Sequence, residues 1–160
     1  NLRGQADRSN TALSLVVLDL DHFKQVNDRY GHEVGDSVLQ RTAEALRSRL
    51  RDSDLACRLG GEEFALLLPG ASLEQAAGLA DELRMRLEQT PIDAGRDTIT
   101  VTFSAGVACL GEDGDSLSEL LKTADRRMYE AKGGGRNQVV AAGQQYALSK
   151  PESILDKCSE

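Results

Sequence analysis

Two glycines and two glutamates separate two short apolar runs in the middle of the chain, in the stretch RLGGEEFALLLP from Arg58 to Pro69. Residues 54–59 and 63–68 have the length and composition of strands, and a Gly-Gly pair between such runs is typical of a tight β-hairpin. Glycine favours this turn because it adopts positive φ without a steric penalty. The sequence therefore predicts a hairpin that holds carboxylates at the mouth of a core strand.

Hydrophobic periodicity predicts the remaining elements. Residues 13–19 form a β-branched apolar run that indicates a central strand, and residues 98–109 alternate as a long half-buried strand does. Amphipathic helices are predicted from Asp36 onward and behind capping-box patterns at Ser72 and Ser116.

The order of these elements predicts the fold class, because strand, helix, strand, strand, helix, strand matches the split βαβ or ferredoxin-like arrangement. We expect an α+β fold with a mostly antiparallel sheet, helices on one face and a last edge strand at residues 137–142. In this topology the first strand lies beside the hairpin, so that Asp19 and the hairpin tip meet. Because the chain is polar beyond Gly143, we predict one domain over residues 1–142 and a polar C-terminal tail over 143–160.

Composition limits the classes of partner. The chain of 160 residues carries a net charge of −7 and has no basic stripe, so we predict no nucleic-acid partner. Its apolar runs are too short for a bilayer, and we predict no membrane contact by this chain. An acidic protein still binds a polyphosphate when metal ions supply positive charge. The wide spacing of Cys57, Cys109 and Cys158 does not match a zinc site and fits a reduced cytosolic compartment.

Four acidic residues belong to the strand end and hairpin tip that the topology brings together. Asp19 and Asp21 end the first strand, and Glu62 and Glu63 lie at the hairpin. Carboxylates so close to one another repel unless cations neutralise them, and oxygen ligands of this kind suit magnesium. The alternative interpretation is that these are solvated acids of turns, and the spacing alone leaves both open.

Five motifs, in this order along the chain, resemble the GGDEF domain of diguanylate cyclases. The resemblance extends roughly from Leu13 to Val140, and the order of the motifs makes it specific, whereas GGEEF alone would be a weak match. The motifs are LDLDHFKQVND (18–28), YGHEVGD (30–36), RLGGEEF (58–64), SAGVA (104–108) and ADRRMYEAKGGGRN (124–137).

The resemblance implies a palm-type nucleotide cyclase fold and a reaction. Diguanylate cyclases condense two GTP molecules into cyclic di-GMP, a second messenger in biofilm signalling, with loss of two pyrophosphates. Each 3′-hydroxyl attacks the α-phosphate of the other GTP, across a homodimer. The reaction uses two Mg²⁺ ions per active site, or Mn²⁺ in their place, and this fits the predicted acidic cluster.

The resemblance also implies the metal ligands. Asp19 and Glu62 match the metal carboxylates, the backbone carbonyl of Leu20 matches a third ligand, and Glu63 assists. Glu62 or Glu63 further matches the acceptor of the 3′-hydroxyl proton, with Glu62 the family's usual candidate. For Asp21, an N-capping role at the start of the next segment is the alternative to a role in the site.

Three residues match positions that contact the substrate, two of them its base. Asn27 and Asp36 match the guanine-reading positions, and an amide and a carboxylate suit the donor and acceptor edge of guanine. His32 matches a substrate-contacting position. From the residues alone, Asp36 is equally a helix N-cap and His32 a polar loop residue.

Further positions match the groups that hold the triphosphate. Phe23 and Lys24, which follow His22, match a phosphate-binding segment, and Lys132 and Arg136 match a basic pair near the γ-phosphate. Alternatives exist here as well, because Phe23 fits a core position and Lys132 favours the dipole of a helix that ends nearby.

The string RDSD, from Arg51 to Asp54, ends just before the glycine pair and matches the family's R-x-x-D site for inhibition by cyclic di-GMP. A guanidinium suits phosphate oxygens and the Hoogsteen edge of guanine, and a carboxylate accepts from the N1–H and N2–H₂ edge. The alternative is a helix end, with Arg51 near a C-terminal dipole and Asp54 starting a strand.

One expected element does not match. The family opens with a D-x-L-T-G-x-x-N-R-R stretch and a helix, whereas this chain begins NLRGQADRSN, so we expect that element to be missing. Two rival functions stay open: a degenerate module that only binds a guanine nucleotide, and another palm-type cyclase or polymerase. We expect a cytoplasmic domain, which fits the cytosolic part of a larger, membrane-anchored bacterial protein.

Overall fold

The computed structural model describes residues 12–142 and 144–145. Its elements, in chain order, are β1 (Leu13–Leu20), α1 (Phe23–Tyr30), α2 (His32–Arg47), β2 (Leu55–Gly60), β3 (Glu63–Pro69), α3 (Leu73–Glu88), β4 (Ile92–Ala94), β5 (Asp97–Ile99), β6 (Phe103–Cys109), α4 (Leu117–Gly133), β7 (Gln138–Ala141) and β8 (Gln144–Gln145). Among these residues, no helix is long and apolar enough to cross a bilayer.

The central sheet has the strand order β2-β3-β1-β6-β7-β8. Its first four strands pair antiparallel in the ferredoxin-like order, and among the described strands only β6 and β7 pair in parallel. The predicted α+β fold class is therefore confirmed. The predicted last edge strand, β7, is not at the edge, because β8 pairs with it on the outer side.

Helices cover both faces of the sheet, and the prediction of a single covered face is wrong. On one face Val16 and Leu18 of β1 pack into the core that α2 and α3 share, and on the other Leu15 and Val17 pack against α4. Strands that are buried on both faces are apolar throughout rather than alternating, which accounts for the unbroken run in β1.

The predicted strand at 98–109 is two strands that lie in different sheets. β5 pairs with β4 in a small hairpin, and β6 begins at Phe103 and is buried along its whole length. The alternation was misleading because the positions between the large side chains hold small residues that lie beneath α4. A Cβ on Gly106 would come within 1.9 Å of the carbonyl oxygen of Ala124, so α4 lies directly on this glycine.

The predicted helix at Asp36 begins earlier, at His32, and α1 precedes it across Gly31, whose φ is 91°. The capping box at Ser72 is confirmed by both of its hydrogen bonds. At Ser116 only the Glu119 backbone N–H donates to the serine, because the Glu119 carboxylate accepts from the Asp115 backbone instead. Residues 1–11, 143 and 146–160, which include Cys158 and most of the predicted tail, lie outside the described residues.

Candidate active site

The end of β1 and the tip of the β2–β3 hairpin lie side by side, as the topology predicts. Asp19 is directly opposite Glu63 in the β1–β3 register, and the Leu20 backbone N–H donates to the Glu62 carbonyl oxygen at 3.2 Å. Backbone pairing therefore fixes the positions from which the Asp19, Glu62 and Glu63 carboxylates extend.

The hairpin tip depends on its two glycines. Gly60 has a φ of 154° and Gly61 a φ of 51°, so a side chain at either position would be strained. The turn residues are Gly61 and Glu62, and the Arg58 side chain closes the turn by donating to the Gly61 carbonyl oxygen at 2.7 Å. Glu62 is thus presented from a tightly held turn.

Lys132, in the last turn of α4, reaches across to the end of β1. Its ammonium lies 2.9 Å from Asp19 Oδ1 and 2.8 Å from Asp21 Oδ1. It also donates to the carbonyl oxygens of Asp19 and Leu20, each at 3.2 Å. These oxygens therefore converge on one positive charge, and Lys132 makes direct contacts beyond any effect on the helix dipole.

This donor set fits a hard divalent cation, because carboxylate and carbonyl oxygens are the ligands that magnesium prefers. Within residues 12–142 and 144–145, no three His, Cys, Asp or Glu side chains stand together as a complete metal-binding group. The predicted set consists of three carboxylates and the Leu20 carbonyl, and in this structure the Asp19 and Leu20 oxygens are held by the Lys132 ammonium.

Burial and crowding raise the pKa of two carboxyls in the cluster. Burial is the largest cause for Asp19, and the charges of Glu62 and Asp21 add to it, while Lys132 opposes it. Burial is also the largest cause for the raised pKa of Glu63, with contributions from Asp19, Asp125 and Glu62. The interpretation as freely solvated turn acids therefore does not describe Asp19, whose side chain is 17% exposed.

Asp21 is buried and has four hydrogen-bond donors. Oδ1 accepts from Ser104 at 2.7 Å and from Lys132 at 2.8 Å, and Oδ2 accepts from Thr102 at 2.7 Å and from the Asn137 backbone at 3.0 Å. Burial alone would raise the pKa of Asp21, but the hydrogen bonds from Lys132, Thr102 and Ser104, together with the charge of Lys132, outweigh it and lower the pKa. The capping interpretation is wrong, since the N-cap of α1 is His22.

The guanine-matching residues lie on the two helices that follow β1. Asn27 of α1 packs against Gly35 of α2, where an added Cβ would come within 1.8 Å of Asn27 Oδ1. Asp36 is exposed in the second turn of α2, so its interpretation as an N-cap is wrong, and His32 is the exposed first residue of that helix. Asp36, together with Phe64, lines a cleft of about 340 Å³ between α2 and the hairpin strands.

The phosphate-matching residues lie at two helix ends near the carboxylates. Phe23 starts α1 and packs partly buried against the core, as the alternative interpretation had it, and Lys24 is exposed. His22, just before them, has a left-handed φ of 57°. Arg136 is exposed in the loop after α4, also with a left-handed φ, of 65°.

A sequence profile described as the diguanylate cyclase GGDEF domain matches residues 1–138. The chain belongs to the GGDEF domain family. The resemblance drawn from the five motifs is thereby confirmed.

Known relatives agree with this assignment. This GGDEF domain is 42% identical to the response regulator PleD of Caulobacter vibrioides over 130 residues, which are 80% of this chain and 29% of PleD. It is similar to the active GGEEF domain of a diguanylate cyclase from Vibrio cholerae, with a TM-score of 0.81 at 32% identity, over 88% of this chain and 89% of that one. The GGDEF domain of DgcB from Caulobacter crescentus, solved in complex with c-di-GMP, gives the same TM-score and identity over 88% and 84% of the two chains.

The RDSD residues lie at the opposite end of the β2–β3 hairpin from the carboxylates. The Arg51 guanidinium lies 3.3 Å from Asp54 Oδ1 and donates to the Pro69 carbonyl oxygen at 2.7 Å. Arg51 is four residues beyond the end of α2 at Arg47, so the helix-end interpretation is wrong for it. Both residues line a cleft of about 330 Å³ that also includes Arg49.

Several residues of the site in this GGDEF domain were not predicted. Thr102, Ser104 and Asn137 donate to Asp21, and Asp125 of α4 acts on Glu63 through its charge. Ser104, Asp125 and Asn137 lie inside motifs that the sequence displays, so their place in the motifs was the available signal. Thr102 lies just before β6 and outside every motif, so no signal marked it.

Proposed function

We propose that this GGDEF domain is a diguanylate cyclase, which joins two GTP molecules into cyclic di-GMP and releases two pyrophosphates. The observation that carries the proposal is the convergence of the Asp19 carboxylate and Leu20 carbonyl on one cationic centre beside the Glu62 turn. The GGEEF sequence, Gly60 to Phe64, is complete and is the one named for the active Vibrio cholerae domain.

Asp19, Leu20, Glu62 and Glu63 would hold two Mg²⁺ ions, or Mn²⁺ in their place. These ions supply charge stabilisation for the departing pyrophosphate and favour loss of the 3′-hydroxyl proton. Lys132 lies close enough to exchange its contacts with these oxygens for contacts with phosphate oxygens. Together with Arg136, Phe23 and Lys24, it would hold the triphosphate.

Asn27 and Asp36 would read the guanine, with His32 beside them. In each half-reaction the 3′-oxygen forms a bond to the α-phosphorus of the other GTP, and the bond from that phosphorus to the pyrophosphate oxygen breaks. Glu62 would accept the hydroxyl proton, with Glu63 as the alternative acceptor. The protein mainly supplies positioning, which accounts for most of the catalysis in phosphoryl transfer.

Two copies of the domain are needed in this proposal. One domain offers one GTP site, whereas the product has two equivalent halves, so two domains must face each other about a two-fold axis. GTP is an intracellular nucleotide, and we accordingly propose a cytoplasmic location. The chain spans less than a third of PleD, so any signal input of a longer protein is a separate question.

Product inhibition is proposed for Arg51 and Asp54. The exposed Arg51 guanidinium is available for a phosphate or a guanine edge, and its ion pair with Asp54 holds the two groups together in a cleft of sufficient size for part of a nucleotide. Cyclic di-GMP bound there would restrain the domain from pairing productively with its partner.

The decisive experiment is incubation of the protein with GTP and Mg²⁺, followed by identification of the nucleotides by mass spectrometry. We expect cyclic di-GMP and pyrophosphate in a ratio of one to two. Binding of GTP without any turnover would favour the regulatory-module alternative, and a different cyclic or linear product would favour another palm-type enzyme.

A further inference from the structure

Arg84 of α3 is fully buried, although it lies on an element that carries none of the proposed site residues. Its Nε donates to Asp81 Oδ1 at 2.8 Å, and its Nη1 donates to Asn137 Oδ1 at 2.7 Å. A guanidinium is buried at a favourable free energy only when it is paired and hydrogen-bonded. The contact with Asn137, 53 residues away along the chain, therefore fixes this loop residue against α3.

Asn137 connects Arg84 to the acidic site. Its side-chain amide also donates to Glu88, and its backbone N–H donates to Asp21 Oδ2 at 3.0 Å. Asp21 in turn accepts from Lys132 at 2.8 Å. A continuous series of hydrogen bonds thus runs from the buried guanidinium to the ammonium at the end of β1.

The loop between α4 and β7, which ends at Asn137, has a backbone conformation that depends on contacts of this kind. Arg136 and Asn137 are consecutive non-glycine residues in the left-handed region, with φ of 65° and 49°. This conformation is disfavoured for residues with a Cβ, and it persists where surrounding contacts impose it. The contacts of Asn137 with Arg84 and Glu88 hold the residue next to Arg136 in place. They therefore fix the backbone position from which the Arg136 side chain extends.

We propose that Arg84 is a positioning residue for the terminal phosphate of the substrate, acting through Asn137 on Arg136 and Lys132. The inference rests on the proposed function, in which Arg136 and Lys132 hold the triphosphate. Loss of the Arg84–Asn137 contact releases the loop, and the affected interaction is the one with the γ-phosphate rather than with guanine.

Two variants break the contact from opposite sides. Asn137→Gly removes the side chain and accepts positive φ, so the loop keeps a permitted backbone conformation without its anchor. Arg84→Lys keeps a positive charge in the buried site but loses the planar group that contacts Asp81 and Asn137 together. Arg86→Lys is the matched control on the same helix, because Arg86 is exposed and pairs with Glu82 at the surface.

The measurement is equilibrium binding of the α,β-methylene analogues of GTP and GDP in Mg²⁺, since neither analogue releases pyrophosphate. We expect both variants to bind the triphosphate about tenfold more weakly, and the diphosphate less than about twofold more weakly. Arg136→Ala should show the same selective loss. In the Asn137→Gly background it should cause little further loss, because the two changes remove one interaction. Circular dichroism checks that each variant folds, and Asn137→Gly decides the test if Arg84→Lys does not fold.

Three results would overturn the inference. If Asn137→Gly and Arg84→Lys keep the preference for triphosphate while Arg136→Ala loses it, the loop does not depend on its anchor. An equal loss for both analogues would indicate a general structural role. If the unaltered protein has no preference for the triphosphate, or Arg136→Ala does not reduce it, the phosphate assignment of the proposed function itself fails, and this inference fails with it.

Discussion

The two ends of the β2–β3 hairpin carry charge in opposite ways. At the tip, Glu62 and Glu63 lie beside Asp19, whose carboxylate pairs with the Lys132 ammonium, and the pKa values of Asp19 and Glu63 are raised first by burial and then by neighbouring acids. At the base, Arg51 and Asp54 form a one-to-one ion pair. The tip therefore has an excess of negative charge that cations would relieve, whereas the base is already neutral.

This difference predicts what each end requires. A site with excess charge gains when cations and their phosphate ligands arrive together, which suits catalysis on GTP. A neutral pair with one exposed partner suits reversible binding of a ligand that offers both a donor edge and a phosphate. In Arg51–Asp54 the exposed partner is the arginine, whose side chain is 63% exposed, while that of Asp54 is 3% exposed.

The largest expected effect is at the tip. Glu62→Gln and Asp19→Asn each remove a charge without creating a cavity, and we expect synthesis of cyclic di-GMP to fall by more than about a hundredfold, because even indirect partners of a metal contribute about 10- to 100-fold. A product assay with purified protein measures this loss. Thermal melting should show an intact fold.

Glu44→Gln is the control for these variants, because Glu44 is an exposed acid of α2 that pairs only loosely with Arg41, at 3.8 Å. It should synthesise product at the normal rate. Near-normal turnover by either tip variant would refute the metal assignment.

At the base, Arg51→Ala should weaken binding of cyclic di-GMP by about ten- to a hundredfold, since a hydrogen bond to a charged group contributes roughly 1.5–3 kcal/mol. Initial rates at low product should stay nearly unchanged, because the tip is untouched. Calorimetric titration of cyclic di-GMP into both proteins measures the difference.

Arg49→Ala is the matched control, since Arg49 lines the same cleft but pairs with Glu82 at 3.0 Å. Its affinity for cyclic di-GMP should change less than that of Arg51→Ala. Equal affinity of Arg51→Ala and the unaltered protein for cyclic di-GMP would show that the base of the hairpin is not the site of product inhibition.

A smaller effect is expected from dilution of the protein, which tests whether the tip of one domain is active without a second copy of the domain. If two domains must face each other, specific activity falls as the protein is diluted, by up to about tenfold for each tenfold dilution where monomers dominate. The assay should be run with light scattering at the same concentrations. Constant specific activity from a monomer would show that one domain is sufficient.

How much of the tip and the base of the hairpin could be predicted depends on how far apart in the sequence the contacting residues lie. Asp19 and the hairpin tip meet because strand order and register follow from local apolar runs and one glycine pair, and these are visible in the sequence. Local sequence patterns also mark β7 and the helix α4 before it. The burial of β1 on both faces was not predicted, because helices were expected on one face of the sheet. In β6, Gly106 was the available signal that a helix lies close.

The elements that escaped prediction lack such local signals. In α1 none of the residues is fully buried, and its apolar face is limited to Phe23 and Val26, which pack partly buried against the core, so the signal for this helix is short. The contact of Arg84 with Asn137 joins positions 53 residues apart, and Asp125 acts on Glu63 from another element. Contacts of this kind depend on how α3 and α4 pack on the sheet, which periodicity does not specify.

The smallest expected effect concerns the pH dependence of stability at the tip. The folded pKa of Glu63 is raised above its unfolded value, so the folded protein binds protons more tightly at this position than the unfolded chain does. The ionised carboxylate therefore lowers the free energy of unfolding, fully so above the folded pKa and not at all below the unfolded pKa, which is about 4.3.

In the presence of a chelator, Glu63→Gln should accordingly raise the melting temperature at pH 7 by at most about 2 °C, because the group is partly exposed and its repulsion is screened by solvent. The gain should vanish as the pH approaches 4, where the carboxyl is protonated in both states. With excess Mg²⁺ the sign should reverse at pH 7, since the bound ions stabilise the folded protein through this carboxylate. A gain at pH 7 that persists with Mg²⁺ would mean that Glu63 contributes repulsion alone, and would exclude it from the proposed metal ligands.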